Sequence, residues 1–115
     1  FSGDGGYSET FRELGDRYGP FDIAFVENGA YNADWSDVHM FPNETVQASI
    51  DLKANVLFPI HWSKFDLSIH PWDEPIIRVT AEADKKNVNL ATPMIGEVFE
   101  LTNLPKNLWW EDLRN

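Results

Sequence analysis

Two short apolar segments, separated by a stretch of helical periodicity, constrain the fold more than any other feature of this chain. Residues 21–26 and 56–60 are almost continuously apolar, which is typical of strands buried inside a layered structure. Helical patterns lie before, between and after them, at residues 8–18, 42–52 and 74–86. This alternation of helices and strands predicts an α/β fold with a layered sheet.

Signals at the helix ends support this interpretation. In the first helix, Thr10 and Glu13 have the spacing of a capping box, and Gly19-Pro20 predicts where the helix ends. The second helix begins with Pro42, which is suited to a first helical turn because its fixed φ matches the helix. These signals predict well-defined helices on either side of the first strand.

The last third of the chain predicts one more helix and two closing strands. Asp73 is suited to the N-cap of the helix at residues 74–86, and Pro75 to its first turn. The segments 88–91 and 97–101 have the composition of strands, which would complete a mixed sheet. The polar tail that follows contains four apolar residues, of which the two tryptophans are expected to clasp the tail to the core: Leu104, Leu108, Trp109 and Trp110.

Charge and composition exclude several classes of function. The chain has 9 basic and 19 acidic residues and a net charge of -10, so we expect no nucleic-acid partner. It has no cysteine, so any metal would be held by His, Asp or Glu. No segment resembles a membrane span or a signal peptide, which favours a cytoplasmic protein. The acidity itself has two interpretations, a solubilising surface or a site that collects divalent cations.

Asp4 and His61 are the candidate metal ligands. Asp4 lies in a glycine-rich turn, and His61 directly follows the apolar segment at residues 56–60. Functional residues of α/β sheets gather beyond the carboxyl ends of the strands, so we expect these two side chains to converge at one edge of the sheet. Each residue also has an ordinary alternative: Asp4 as a turn or capping residue, and His61 as a packed histidine.

The long loop at residues 27–41 contains two further candidates, and loops of this length are often functional. His39, near its end, is a candidate general acid or substrate contact, with an exposed loop histidine as the alternative. Tyr31 could hydrogen-bond an anionic substrate, or it could anchor the loop by packing its ring. For His70, in the next irregular segment, we expect a surface or structural role.

Four motifs together resemble one branch of the metallo-β-lactamase superfamily, the branch of N-acylphosphatidylethanolamine-hydrolysing phospholipase D and the ascorbate-6-phosphate lactonases. The resemblance implies that Asp4 bridges two metal ions, that His61 is the final metal ligand, and that His39 lies near the substrate. In chain order the motifs are Gly3-Asp4-Gly5-Gly6-Tyr7, Gly19-Pro20-Phe21-Asp22, Gly29-Ala30-Tyr31 and Ile60-His61-Trp62.

The resemblance also implies an architecture and a reaction. Residues 1–115 would form the C-terminal αβ half of a metallo-β-lactamase αβ/βα sandwich, and the family's His-x-His-x-Asp-His loop does not occur among them. We therefore expect a fragment that is inactive without the N-terminal half. The whole enzyme is expected to hydrolyse a phosphodiester or a lactone, of a lipid or a small molecule. Attack would be by hydroxide held on two divalent cations, zinc first, with manganese or iron possible.

Two other functions are compatible with the sequence. A non-catalytic α/β module could hold an anion at the N terminus of the first helix, or the domain could bind a partner through the tail tryptophans. Half of a two-layer sandwich would also expose an apolar sheet face, so we expect the isolated chain to form a homodimer.

Overall fold

The structure, a computed structural model, describes residues 1–114, which contain three α-helices and two strands. This order confirms the predicted α/β class. Among the described residues, no helix combines the length and the apolar character needed to cross a membrane. The elements in chain order are α1 (Thr10–Tyr18), β1 (Ala24–Glu27), the 3-10 helix Ala33–Trp35, α2 (Pro42–Asp51), β2 (Leu57–Ile60), α3 (Glu74–Lys86) and the 3-10 helix Glu111–Leu113.

The two strands form a parallel pair. β1 and β2 are in register from Ala24 opposite Leu57 to Glu27 opposite Ile60. Leu90 adds one further parallel bridge, to Leu57. Because parallel strands end at the same edge of a sheet, the residues at the end of β1 and just beyond β2 are brought together.

Helix α2 lies at the centre of the packing, where it contacts α1, α3 and both strands. Its Val46 and Ala48 belong to one buried cluster with Leu57, Ile76 and Val79. Full burial of an aliphatic side chain stabilises a fold by about 1.5–3 kcal/mol. This cluster therefore holds the sheet against the helices.

The C-terminal tail closes this core, as expected for its tryptophans. Trp110 is only 2% exposed. The ring centroid of Trp62 lies 5.4 Å from that of Trp109 and 6.0 Å from that of Trp110. The last residue of the predicted tail, Asn115, lies outside the described residues.

The helix ends follow the sequence signals only in part. Proline occupies the first turn of both α2 and α3, as predicted. The capping box predicted for α1 is wrong, because Glu9 takes the N-cap position and Thr10 is already within the helix. Asp73 takes the N-cap position of α3 without a side-chain cap hydrogen bond; its carboxylate instead pairs with Arg114 at 2.7 Å.

The two predicted closing strands do not form as strands. The segment 88–91 is reduced to the bridge at Leu90. At residues 97–101 the prediction is wrong: Met94 N–H donates to the Glu97 carboxylate across a turn at 2.8 Å, and Val98 is 93% exposed. This segment has no neighbouring strand in the described residues, so its backbone does not pair as a ladder.

Gly29 makes the close approach between the two strand ends possible. Just before it, Asn28 N–H donates to the carbonyl of Ile60 at 2.8 Å. A Cβ placed on Gly29 would lie 2.0 Å from the carbonyl oxygen of His61, a backbone atom that cannot move independently of its chain. A side chain at this position would therefore push the end of β2 away from the end of β1.

Gly29→Ala is expected to lower the free energy of unfolding by about 1–3 kcal/mol, the usual cost of an overpacked site. Urea denaturation of the full-length protein measures this change. Gly5→Ala is the matched control, because a Cβ at Gly5 meets nothing within 4 Å. Equal stability of the two variants would contradict the argument.

One face of the sheet is only partly covered within residues 1–114. Ala24 and Val26 of β1 are buried, whereas Phe25 between them is partly exposed, and Phe58 of β2 is partly exposed in the same way. The ring centroids of Phe25 and Phe58 lie 4.9 Å apart, and that of Phe99 lies 5.8 Å from Phe58. This face is thus less covered than the face that carries Ala24 and Val26.

We propose that the isolated chain self-associates through this face, since soluble monomers rarely expose large apolar patches. Light scattering at several concentrations should detect a dimer, and Phe58→Ser should weaken it. Phe65→Ser is the control, because Phe65 is an exposed phenylalanine in the loop after β2. A wild-type monomer at every concentration would refute the proposal.

Candidate metal centre

The end of β1 positions both Asp4 and Glu27. Ser2 N–H donates to the Phe25 carbonyl at 2.8 Å, and Glu27 N–H donates to Ser2 Oγ at 3.0 Å. The N-terminal residues therefore run beside β1. Gly3 then turns the chain with a φ of 69°, a conformation that glycine adopts without strain, and this turn presents Asp4 next to the strand end.

The other two residues of the site come from the long loop and from the end of β2. His39 N–H donates to the Trp35 carbonyl at 2.9 Å, which closes the turn around the 3-10 helix and directs the chain back toward β1. His61 directly follows β2 and has a φ of 67°. A non-glycine residue held in this region costs roughly 1–3 kcal/mol, and such strain clusters at functional sites.

Four side chains converge at this edge of the sheet: Asp4, Glu27, His39 and His61 each offer a ligand atom, and these atoms all lie within 4.8 Å of one another. Asp4 Oδ1 lies 3.5 Å from His61 Nε2 and 3.2 Å from His39 Nδ1. Glu27 Oε2 lies 3.0 Å from His39 Nδ1 and 3.3 Å from His61 Nδ1. The two imidazole rings stack with centroids 5.3 Å apart. Asp4 and His61 are thus brought together, as the strand order predicts.

This donor set fits a divalent cation. Two atoms bound to a tetrahedral zinc stand roughly 3.3–3.6 Å apart, and the Asp4–His61 pair matches that separation. Neither carboxylate has a lysine or arginine within ion-pair distance in the part of the chain that the structure describes, where the histidines are the sole ion-pair partners of Asp4 and Glu27. The negative charge at this edge is therefore left for a cation to neutralise.

The exposure of the four side chains divides them into two groups. The Asp4 side chain is 61% exposed and that of His61 is 35% exposed, so both can be reached from solvent. His39 is 15% exposed, and Glu27 is fully buried. Burial raises the pKa of the Glu27 carboxyl, against the lowering effect of its contacts with His39 and Met40.

Glu27 is not among the site residues predicted from the sequence. The sequence feature that could have identified Glu27 is its position as an acidic residue at the end of a buried apolar segment, where α/β sheets carry functional groups. The signal was weak because an acid in that place is also common as the first polar residue of a loop. Only the pairing of β1 with β2 brings Glu27 next to His39 and His61.

Tyr31 stays outside this group of four. It is 4% exposed, its ring centroid lies 4.2 Å from that of His70 and 5.1 Å from that of Phe41, and its hydroxyl accepts from Arg78 at 3.4 Å. Burial is the largest cause that raises its pKa, to about 12. Tyr31 thus anchors the loop by packing, and a contact with substrate stays a prediction. His70 has the structural role expected for it.

A cleft of about 610 Å3 borders His61. Gly29 and Ala30 of the loop after β1 line it, together with the backbone that follows β2. Its walls are otherwise mostly apolar, and the large side chains among them are Trp62, Phe65, Leu67, Trp72, Ile95 and Trp109. The site therefore has an apolar neighbour large enough for part of a substrate.

Comparison with known proteins places this site in a family. The family described as a beta-lactamase superfamily domain matches residues 1–62, more than half of the chain. An uncharacterized protein of Mycobacterium tuberculosis is 41% identical over 115 residues, which cover 96% of this chain and 31% of that protein. Outer membrane protein RomA of Klebsiella pneumoniae is 49% identical over 61 residues, covering 53% of this chain and 46% of RomA.

A relative from the branch suggested by the motifs is also found. N-acyl-phosphatidylethanolamine-hydrolyzing phospholipase D 1 of Caenorhabditis elegans is 29% identical over 111 residues, which cover 90% of this chain. The chain spans 31% of the length of this relative and of the mycobacterial one. Its α/β elements, its converging acidic and histidine residues and the match over residues 1–62 agree: the chain belongs to the beta-lactamase superfamily domain family.

Proposed function

We propose that this chain is the C-terminal half of a metal-dependent hydrolase domain, with Asp4 and His61 as metal ligands. The observation that carries the proposal is the 3.5 Å separation of Asp4 Oδ1 and His61 Nε2 at the edge of a parallel sheet. Membership of the beta-lactamase superfamily supports a hydrolase, and the unneutralised carboxylates beside these atoms support a cation.

Two divalent cations would fit the proposal, with Asp4 and His61 among the residues that would hold them. A carboxylate has two oxygens, and an exposed one can serve a different ion with each. When bound, the ions would supply a water molecule activated for attack and would polarise the oxygen of the scissile group. Histidine with carboxylate favours zinc, and manganese or iron remain alternatives.

Asp4 and His61 are too few ligands for two ions, because catalytic zinc usually has three protein ligands. We propose that the others come from the part of the relatives' length that this chain does not span. The isolated chain is accordingly expected to be inactive. A cytoplasmic location stays a prediction.

His39 is proposed as the catalytic residue that donates a proton to the leaving group. Its Nδ1 is held by Glu27 at 3.0 Å, which fixes the ring and leaves Nε2 as the nitrogen for proton transfer. The 3.2 Å contact between His39 Nδ1 and Asp4 Oδ1 supports a position close to any ion that Asp4 would hold. His39 is not proposed as a ligand, because its nitrogen nearest to Asp4 is Nδ1, which is already hydrogen-bonded to Glu27, whereas His61 presents Nε2 to Asp4.

A phosphodiester with an apolar substituent is the proposed substrate. The cleft beside His61 has an apolar lining and a volume of about 610 Å3, which suits an acyl or similar group. The relative from Caenorhabditis elegans is named for hydrolysis of an N-acylated phospholipid, which supports this choice over a lactone.

The two non-catalytic alternatives have less support. The N terminus of α1 has Glu9 at its cap and Glu13 in its first turn, and these carboxylates oppose the binding of an anion there. Of the two tail tryptophans, Trp110 is buried against Trp62, and Trp109 is partly buried in the wall of the cleft beside His61, so they offer little free surface to a partner.

Removal of either proposed ligand should abolish both metal binding and activity. In the full-length protein, Asp4→Asn and His61→Gln should each lower kcat/KM by more than about 100-fold. Residues that only orient a metal ligand typically cause losses of up to about 100-fold, so a ligand itself should cause a larger one. Elemental analysis should show less bound metal in both. Activity is measured on an N-acylated phospholipid and, in parallel, on a lactone.

Two matched substitutions serve as controls for this experiment. Asp22→Asn changes an exposed aspartate outside the site and should retain activity and metal. His70→Gln changes a histidine outside the cluster and should retain metal. Full metal content in both ligand variants would overturn the assignment, and faster turnover of the lactone would overturn the choice of substrate.

His39→Gln should separate catalysis from metal binding. Loss of a general acid lowers kcat by about 10²–10⁴-fold, while the metal content should stay at the wild-type level because the proposed ligands are untouched. A substrate with a leaving group that needs no protonation should restore most of the rate. Loss of metal from this variant would instead make His39 a ligand.

A further inference from the structure

Glu27 is the most buried member of the cluster, and it is not among the proposed metal ligands. Its side chain is fully buried, and its carboxylate contacts two separate parts of the chain, residues 39–40 and His61. Oε1 accepts a hydrogen bond from the backbone N–H of Met40. Oε2 lies 3.0 Å from His39 Nδ1 and 3.3 Å from His61 Nδ1. A buried carboxylate with this set of contacts is costly unless each contact is kept.

We propose that Glu27 is a positioning residue. Its carboxylate holds the rings of His39 and His61 by their Nδ1 atoms, so that His61 Nε2 faces Asp4. This inference rests on the proposed metal centre, in which His61 Nε2 is a ligand atom. A carboxylate behind a metal-binding histidine orients the ring and selects its tautomer, and such partners typically change metal affinity by about 10–100-fold.

The backbone of Glu27 is held as firmly as its side chain. It pairs with Ile60 in the sheet, its N–H donates to Ser2 Oγ at 3.0 Å, and its carbonyl accepts from Thr45 Oγ1 at 2.7 Å. These contacts tie it to the N-terminal segment, to β2 and to α2. The carboxylate is therefore a fixed point against which the rings of His39 and His61 can be aligned.

The contacts argue against Glu27 as a direct ligand. Oε1 is occupied by Met40 N–H, and Oε2 lies against the Nδ1 atoms of both histidines. A ligand would instead direct a lone pair toward the space between Asp4 Oδ1 and His61 Nε2. Asp4, with 61% of its side chain exposed, is the carboxylate at that space.

The chemistry of the side chain predicts the tautomer of each ring. An ionised carboxylate only accepts hydrogen bonds, so each Nδ1 beside Glu27 should hold the proton. The lone pair of His61 then lies on Nε2, toward Asp4. In Glu27→Gln, the amide oxygen can still accept from Met40 N–H, and the NH₂ group then faces the histidines. The ring of His61 should respond by placing its proton on Nε2, where a metal would bind.

The first test needs no substitution. Nitrogen NMR of the full-length protein, labelled on histidine and freed of metal, reports the tautomer of each ring at about pH 9, well above the ordinary imidazole pKa of about 6.5. We expect the Nδ1–H form for His39 and His61. An Nε2–H form of His61 in the wild-type protein would overturn the proposal.

The second test compares Glu27→Gln with Glu13→Gln, the same change at an exposed position of α1. Titration with zinc alone should give a dissociation constant about 10–100-fold higher for Glu27→Gln, with unchanged stoichiometry and with the His61 proton moved to Nε2. Glu13→Gln should match the wild type. Unchanged affinity and tautomer in Glu27→Gln would refute the proposal, and so would the loss of a bound ion, which would make Glu27 a ligand.

The two proposals fail in different ways. A wild-type protein that binds no zinc would remove the proposed metal centre. The tautomers measured without metal would still report whether Glu27 orients the two histidines. Retention of zinc with the wrong tautomers would remove only the positioning role.

Discussion

The parallel pairing of β1 with β2 is the constraint on which the rest of the structure depends. It aligns Glu27 with Ile60, so that the chain leaves both strands at one edge of the sheet. Gly29 lets the two exits approach, since its missing Cβ leaves room for the carbonyl of His61. The N-terminal segment runs beside β1 and adds Asp4 to the same edge. The four residue pairs between β1 and β2 therefore bring together four side chains that are spread over 58 positions of the sequence.

The chemically reactive groups of the described residues lie at this edge of the sheet, where acidic and histidine side chains meet. Two carboxylates and two imidazoles lie together among the described residues without a lysine or arginine against the carboxylates. The exposed carboxylate of Asp4 and the buried one of Glu27 are chemically alike but differ in surroundings, and this difference underlies the two roles proposed for them. One is available to an ion from outside, and the other has its hydrogen bonds satisfied within the protein.

The two sides of the sheet have different partners. Helix α2 packs on one side and forms the core with residues such as Val46 and Leu57. The other side presents the partly exposed rings of Phe25 and Phe58. This chain belongs to the beta-lactamase superfamily domain family and spans 31% of the length of its mycobacterial relative. We propose that the part of the relatives that this chain does not span covers the second side of the sheet. Side chains of both strands alternate between the two sides of the sheet, so the nearly continuous apolar sequence of each strand supplies apolar residues to both sides.

By itself, the sequence determined the order of the helices and strands, the α/β class and the candidates Asp4, His39 and His61, because apolar periodicity and strand-end positions are local patterns. It predicted wrongly where local pattern was not enough: residues 97–101 have the composition of a strand, but within the described residues they form only an isolated bridge, from Glu100 to Asn103. Glu27 had no local feature to distinguish it from an ordinary loop acid. Only the tertiary structure shows that Glu27 lies beside His39 and His61 and that Tyr31 is buried, since burial and distance between residues far apart in the chain arise when the strands pair and the helices pack.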